Sequence, residues 1–177
     1  MAHPSRPLFP LVFIGPMASG KTRIGKRVAA ALKVPFVDTD KRVVAENGPI
    51  AAIFEESGEA AFRRLERSAV VDALTGATVE TRESVVSLGG GAVLDPATQA
   101  DLLGCTVIFL SATADAVANR IRGGKRPLLT NGTADWQRIF DERRPIYEAL
   151  ASIHIDTSNR AVEQIVDEIV EWVRERS

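Results

Sequence analysis

The apolar run Leu-Val-Phe-Ile at positions 11–14 is followed by a glycine-rich turn and then by Ile24, Val28, Ala31 and Leu32. A block of β-branched and aromatic residues favours a strand, and the i, i+4, i+7, i+8 spacing lines one face of a helix, so the chain opens as strand, loop and helix. The same grammar recurs down the chain. Pro35 to Asp40 predicts a short strand ending in two acids, and 41–75 predicts helix broken near Gly48-Pro49 and at Gly58, with Phe62, Leu65 and Ala69 as its inward stripe. Val85 to Leu88 predicts a strand, Pro96 to Leu103 a short helix, Cys105 to Leu110 a buried strand, and Ala114 to Arg122 another helix. Trp136 to Leu150 is helical in pattern, but Pro145 lacks an amide hydrogen and predicts a break or restart near Arg144, which would put Arg143 at an irregularity. Ile153 to Asp156 is a last strand in which His154 faces the surface, and Val162, Ile165, Val166, Ile169 and Val173 line a final helix with Trp172 adjoining. Five strands interleaved with helices predict an α/β fold with three α/β/α layers around a parallel sheet.

Composition narrows the class. A chain of 177 residues with 45% hydrophobic content suits one domain, since domain sizes peak near ~100 to 150 residues. With 22 basic and 23 acidic residues there is no global field to hold nucleic acid or an anionic membrane, so neither is an expected partner. The single cysteine, Cys105, cannot form an internal disulfide and points to a reducing compartment. Residues 1–10, a loose lead-in with three prolines, lack the apolar stretch of a signal peptide, and no run approaches the ~18 residues that span a bilayer. A cytoplasmic monomer is the expectation.

The first turn carries the chemistry. Gly15, four intervening residues and then Gly20-Lys21-Thr22 form a P-loop placed, as the motif requires, between a strand and a helix. Glycine lets the main chain close around a polyphosphate, Lys21 reaches its β and γ groups, Thr22 can ligate Mg²⁺, and the dipole of the following helix faces the phosphates. Asp38 and Asp40, read as alternate residues of a strand, project from one face beside this loop. There they can hold magnesium through water and accept a proton from a substrate hydroxyl. A competing reading makes Asp40 the cap of a helix beginning near Lys41.

Other candidates are less specific on spacing alone. Arg63 and Arg64 flank the inward stripe, and Glu59 four residues earlier makes an ordinary surface pair with Arg63; the guanidinium fork also matches a substrate carboxylate. Gly89, Gly90 and Gly91 end the third strand, where a ligand can approach bare main chain or where a turn is simply flexible. The basic segment from Arg120 to Leu129, with its own glycine pair, suits a lid that brings an arginine to a transferring phosphoryl group, or a solvated loop.

From about Leu11 to Trp172 the chain resembles shikimate kinase, a family of small P-loop phosphotransferases. The motifs, in order, are Gly-Pro-Met-Ala-Ser-Gly-Lys-Thr, Val-Asp-Thr-Asp, Ile-Phe-Glu-Glu-Ser-Gly-Glu-Ala-Ala-Phe-Arg-Arg, Leu-Gly-Gly-Gly, Arg-Pro-Leu-Leu and Arg-Arg-Pro-Ile-Tyr. The resemblance implies a P-loop NTPase fold with a five-stranded parallel sheet, a mobile lid at about 120–132 and substrate-binding helices at about 41–75. It also implies transfer of phosphate from MgATP to the 3-hydroxyl of shikimate, on the route to chorismate and the aromatic amino acids. Asp40 would then hold ring hydroxyls and act as base, Arg63 and Arg143, rather than Arg64 and Arg144, would grip the carboxylate, and Gly89 to Gly91 would line the acid, with Gly90 giving a backbone contact. ATP would be met by Gly15, Met17, Ala18, Ser19, Gly20, Lys21, Thr22 and Arg23, by Arg126 in the lid, and by Arg120 and Arg160 flanking adenine. Thr22 and Asp38 would position the metal. Many members have glycine where this chain has Ala18, and the lid is a little short between Gly124 and Arg126. Two alternatives remain: a related kinase for gluconate or a nucleoside monophosphate, against which the Asp-Thr-Asp and triple glycine speak, and a nucleotide-binding module without turnover.

Overall fold

A computed structural model describes residues 9–76, 83–121 and 128–177. Its strands are β1 (Leu11–Ile14), β2 (Phe36–Asp38), β3 (Val85–Ser87), β4 (Thr106–Ser111) and β5 (Ile153–Asp156), joined in one parallel sheet of order β2-β3-β1-β4-β5. Every residue of β1 and β4 is buried, which is what central strands covered on both faces require. Alternation sorts their side chains into two cores. Leu11, Phe13, Ile108 and Leu110 meet helices α1 (Lys21–Leu32) and α7 (Val162–Arg174). Val12, Ile14, Val107 and Phe109 pack on the opposite face with Val70 of α3 (Ile50–Thr75) and with Phe140 and Tyr147 of α6 (Thr133–Leu150). The three layers are thus a consequence of period two in the strands.

The final helix buries Ile165, Val166, Ile169, Val170 and Val173, each contributing about 1.5–3 kcal/mol relative to exposure. An aspartate at Ile169, now fully buried, would put an unpaired charge into that layer. In α1 the inner face is Ile24, Gly25, Val28 and Ala29, while Ala31 is exposed. The expected stripe is rotated because the helix lies close against Phe36, where a Cβ on Gly25 would come within 2.8 Å of the ring.

Two local expectations are corrected. Asp40 is not on a strand: β2 stops at Asp38, whose carboxylate accepts from the Lys41 amide at 3.1 Å and caps α2 (Thr39–Asn47), leaving Asp40 in that helix's first turn. The cap is therefore Asp38, not Asp40. Helix α6 runs unbroken through Pro145, so Arg143 stands on regular helix. The bond that Pro145 cannot donate would have gone to Asp141, and both residues lie on the exposed side, where water can satisfy that carbonyl.

Helix α3 is interrupted at Gly58 (φ 79°, ψ 171°), as its sequence implied. Both of its halves join α2 in a small core of their own, with Val43, Ile53, Phe62 and Ala69. Helices α4 (Pro96–Leu102) and α5 (Ala114–Ile121) complete the described part of the chain, in which no helix is long and apolar enough to cross a membrane.

Candidate active site

The loop between β1 and α1 is shaped by residues that must accept unusual backbone angles. Gly15 has φ 140°, and a Cβ there would sit 2.1 Å from the Leu110 carbonyl oxygen; Gly20 has φ 99°. Ala18 adopts φ 63° without being glycine, at a cost of about 1–2 kcal/mol. The loop's carbonyls are braced from three elements: Trp136 Nε1 donates to Met17 O (2.7 Å), Arg120 Nη1 to Ala18 O (3.0 Å) and Thr157 Oγ1 to Ser19 O (2.9 Å). In a trans peptide the N–H opposes the C=O, so holding these carbonyls fixes which way the loop presents its donors. Helix α1 has neither a side-chain cap nor an acid in its first turn, leaving its positive end for an anion.

Lys21 is buried, with Nζ donating to Gly15 O and Pro16 O at 2.8 Å each. Burial pulls its pKa down to about 8, against the charges of Asp40 and Asp38, which favour the ammonium. Thr22 Oγ1 donates to Asp38 Oδ2 at 2.6 Å. These two hard oxygens fit Mg²⁺, which takes one or two protein oxygens and completes its shell with phosphates and water; among the described residues no three His, Cys, Asp or Glu side chains converge into a cage. The cleft over the loop is lined by Met17, Ala18, Gly20, Lys21, Thr22, Arg23, Asp38, Asp40 and Arg120 among others. Arg160 lies on the surface, pairing with Glu168 and reaching Asp156 O (3.4 Å). Arg126 falls outside the described residues, as does the 122–127 part of the expected lid.

Beside this cleft is a second cavity of about 230 Å³, lined by the charged side chains of Asp40, Arg63, Glu66 and Arg143, by the main chain of Gly89, Gly90 and Gly91, and by Phe54, Phe62, Trp136, Phe140 and Tyr147 among others. Met17, Asp40 and Gly90 line both spaces. Asp40 Oδ1 is buried and has no hydrogen-bond partner among the described residues. Burial, and next the charge of Asp38, raise its pKa, with Lys21 and Arg63 opposing. The structure turns one arginine of each neighbouring pair toward the cavity. Arg63 and Arg143 face the cavity, while Arg64 is exposed and Arg144 is paired on the surface with Glu148 (2.7 Å).

The triple glycine has a reason beyond ligand access. A Cβ on Gly89 would meet Glu66 Oε1 at 2.5 Å and Asp40 Oδ1 at 2.6 Å, and one on Gly91 would meet the Arg63 guanidinium at 2.3 Å. Charged side chains of the site pack directly on this main chain at Gly89 and Gly91, where a Cβ would displace them.

Glu66 was missed by sequence reading. It is 3% exposed and bonds Arg63 (2.7 Å) while Glu59 takes the other nitrogen (3.1 Å). Burial raises the Glu66 pKa and the Arg63 charge opposes this. The signal was available: position 66 falls four after Phe62 and three before Ala69, a carboxylate on a core stripe. Trp136 and Tyr147 were also passed over, because their polar atoms reach Met17 and Gly90, partners distant in sequence.

Comparison with known proteins gives a consistent answer. A family model described as shikimate kinase matches residues 17–174. The shikimate kinase of Salinispora arenicola is 45% identical over 89% of this chain and 93% of its own. A solved shikimate kinase from Acinetobacter baumannii, in complex with shikimate, superposes with a TM-score of 0.86 at 25% identity over 97% of this chain and 96% of that one. The shikimate kinase of Aquifex aeolicus gives 0.76 at 32% identity over 93% and 95%.

Proposed function

The chain belongs to the shikimate kinase family, and from that premise we propose a division of labour among its residues. The reaction is ATP-dependent phosphorylation of the shikimate 3-hydroxyl. The hydroxyl oxygen bonds to the γ-phosphorus, the bond from that phosphorus to the β,γ-bridging oxygen breaks, ADP departs, and the hydroxyl proton goes to a base.

The observation that carries the reading is Asp40, whose unpartnered buried oxygen lies at the junction of the two cavities. A carboxylate there accepts hydrogen bonds from ring hydroxyls on one side and faces the phosphate loop on the other. Its raised pKa brings it closer to the operating pH and makes it a better proton acceptor. Arg63 and Arg143 bind the acid's carboxylate, and Gly89, Gly90 and Gly91 supply the floor. Gly15 to Arg23 hold the triphosphate. Lys21 neutralises charge on the β and γ groups, and Arg126 in the lid at 120–132 stabilises the group in flight. Arg120 and Arg160 flank adenine, the latter after giving up Glu168. Thr22 and Asp38 would hold Mg²⁺, which would supply further charge neutralisation on the phosphates. The protein works as a single domain and a monomer in the cytoplasm.

Purified protein with MgATP is expected to release ADP only when shikimate is added, yielding a product phosphorylated on the 3-hydroxyl. Equal ADP release with gluconate or a nucleoside monophosphate, or none with any acceptor, would overturn the assignment.

A further inference from the structure

Arginine is a long side chain, and binding a carboxylate costs affinity unless its rotamer is already held. On α6, Tyr147 stands one turn after Arg143 on the same face. Its side chain is fully buried, and its ring stacks on Phe109 of β4 with centroids 5.2 Å apart and planes at 25°, so the phenol cannot swing away. The hydroxyl donates to Gly90 O at 2.5 Å, and the Arg143 guanidinium lies near enough for its charge to act on the same hydroxyl. Arg143 Nη1 lies 3.6 Å from where a Gly90 Cβ would be, so arginine, phenol and glycine loop form one cluster at the cavity wall. Burial pushes the phenol up to about 12, so it keeps the proton it gives to Gly90 throughout the working range of pH.

We propose that Tyr147 is a positioning residue for the acid substrate: its hydroxyl, satisfied on one side by the Gly90 carbonyl, fixes the aim of the Arg143 guanidinium into the cavity. The proposal rests on Arg143 being a carboxylate ligand. Gly90 serves as anchor, and the unbroken helix through Pro145 sets the one-turn offset between arginine and phenol.

Tyr147→Phe removes one oxygen from a buried ring. It is expected to raise KM for shikimate about fivefold to tenfold, the effect of one modest hydrogen bond, while kcat and KM for ATP stay within about twofold. In an Arg143→Ala background the same change should raise KM no further, because the side chain it aims is gone. An analogue with a hydroxymethyl group in place of the carboxylate should be used equally well by wild type and Tyr147→Phe. If the phenylalanine variant does not fold, 4-fluorophenylalanine at 147 fills the hydroxyl's place without donating to Gly90 and answers the same question. An equal rise in KM with and without Arg143, or none at all, overturns the proposal. Arg143→Ala leaving KM for shikimate unchanged would instead overturn the assignment of Arg143 itself.

Discussion

The phosphate cleft and the acid cavity share a wall but are built by different means. The cleft is made mostly of consecutive residues, Gly15 to Thr22, whose shape is set by the backbone angles of Gly15, Ala18 and Gly20 and whose buried cation, Lys21, is held by two carbonyls of the same loop. The cavity is assembled from side chains of α2, α3 and α6 and the main chain of the glycine loop, with Arg63 paired along its own helix with Glu66 and Glu59. A local site tolerates variation elsewhere and fails when its own few residues change. A dispersed site is graded, because each contributor supplies part of the affinity.

Lys21→Ala should make the largest difference, since it removes charge stabilisation where phosphoryl transfer occurs; turnover is expected to fall by roughly three or more orders of magnitude in a steady-state ADP assay. Arg143→Ala tests the dispersed site. KM for shikimate should rise about tenfold to a hundredfold with kcat nearly kept, and a collapse of kcat instead would merge the two regions into one catalytic unit.

Lys21 also gives the cleft a pH signature. Its pKa in the ligand-free fold, about 8, lies below that of an unfolded chain, so the folded state binds fewer protons, and stability attributable to this group rises as pH climbs from about 8 toward 10. Triphosphate restores the charge. ATP binding near pH 8 should therefore take up about half a proton, measurable by calorimetry in buffers of different ionisation enthalpy, and affinity should weaken as pH rises through that value. Shikimate alone should take up much less through this group, so equal uptake for the two ligands would contradict the contrast. The smallest effect expected is from Ala18→Gly, which relieves a left-handed angle but adds freedom to the unfolded chain; a gain of about 0.5–1 kcal/mol in thermal or denaturant unfolding is expected.

That contrast also explains what could be read in advance. Strand and helix periods announced the sheet and its covering layers, and the phosphate loop announced itself because its function lies in adjacent residues. The acid site was legible only as scattered candidates: spacing left Arg63 against Arg64 and Arg143 against Arg144 open, and the resemblance to a family chose between them. Glu66 was overlooked although it interrupts a hydrophobic stripe, and the strand expected to carry Asp40 yields to a helix because Asp38 captures the Lys41 amide.

By itself the sequence determined the elements, their parallel arrangement and a triphosphate site, because these follow from periodicity and from backbone angles set within a few residues. Only the tertiary structure decided that a helix continues through Pro145, that Gly89 and Gly91 let Asp40, Glu66 and Arg63 pack on bare main chain, and that Tyr147 meets Gly90. The physical reason is that hydrogen-bond partnership and close packing belong to pairs of residues far apart in the chain, and no local spacing encodes which distant group a side chain will meet.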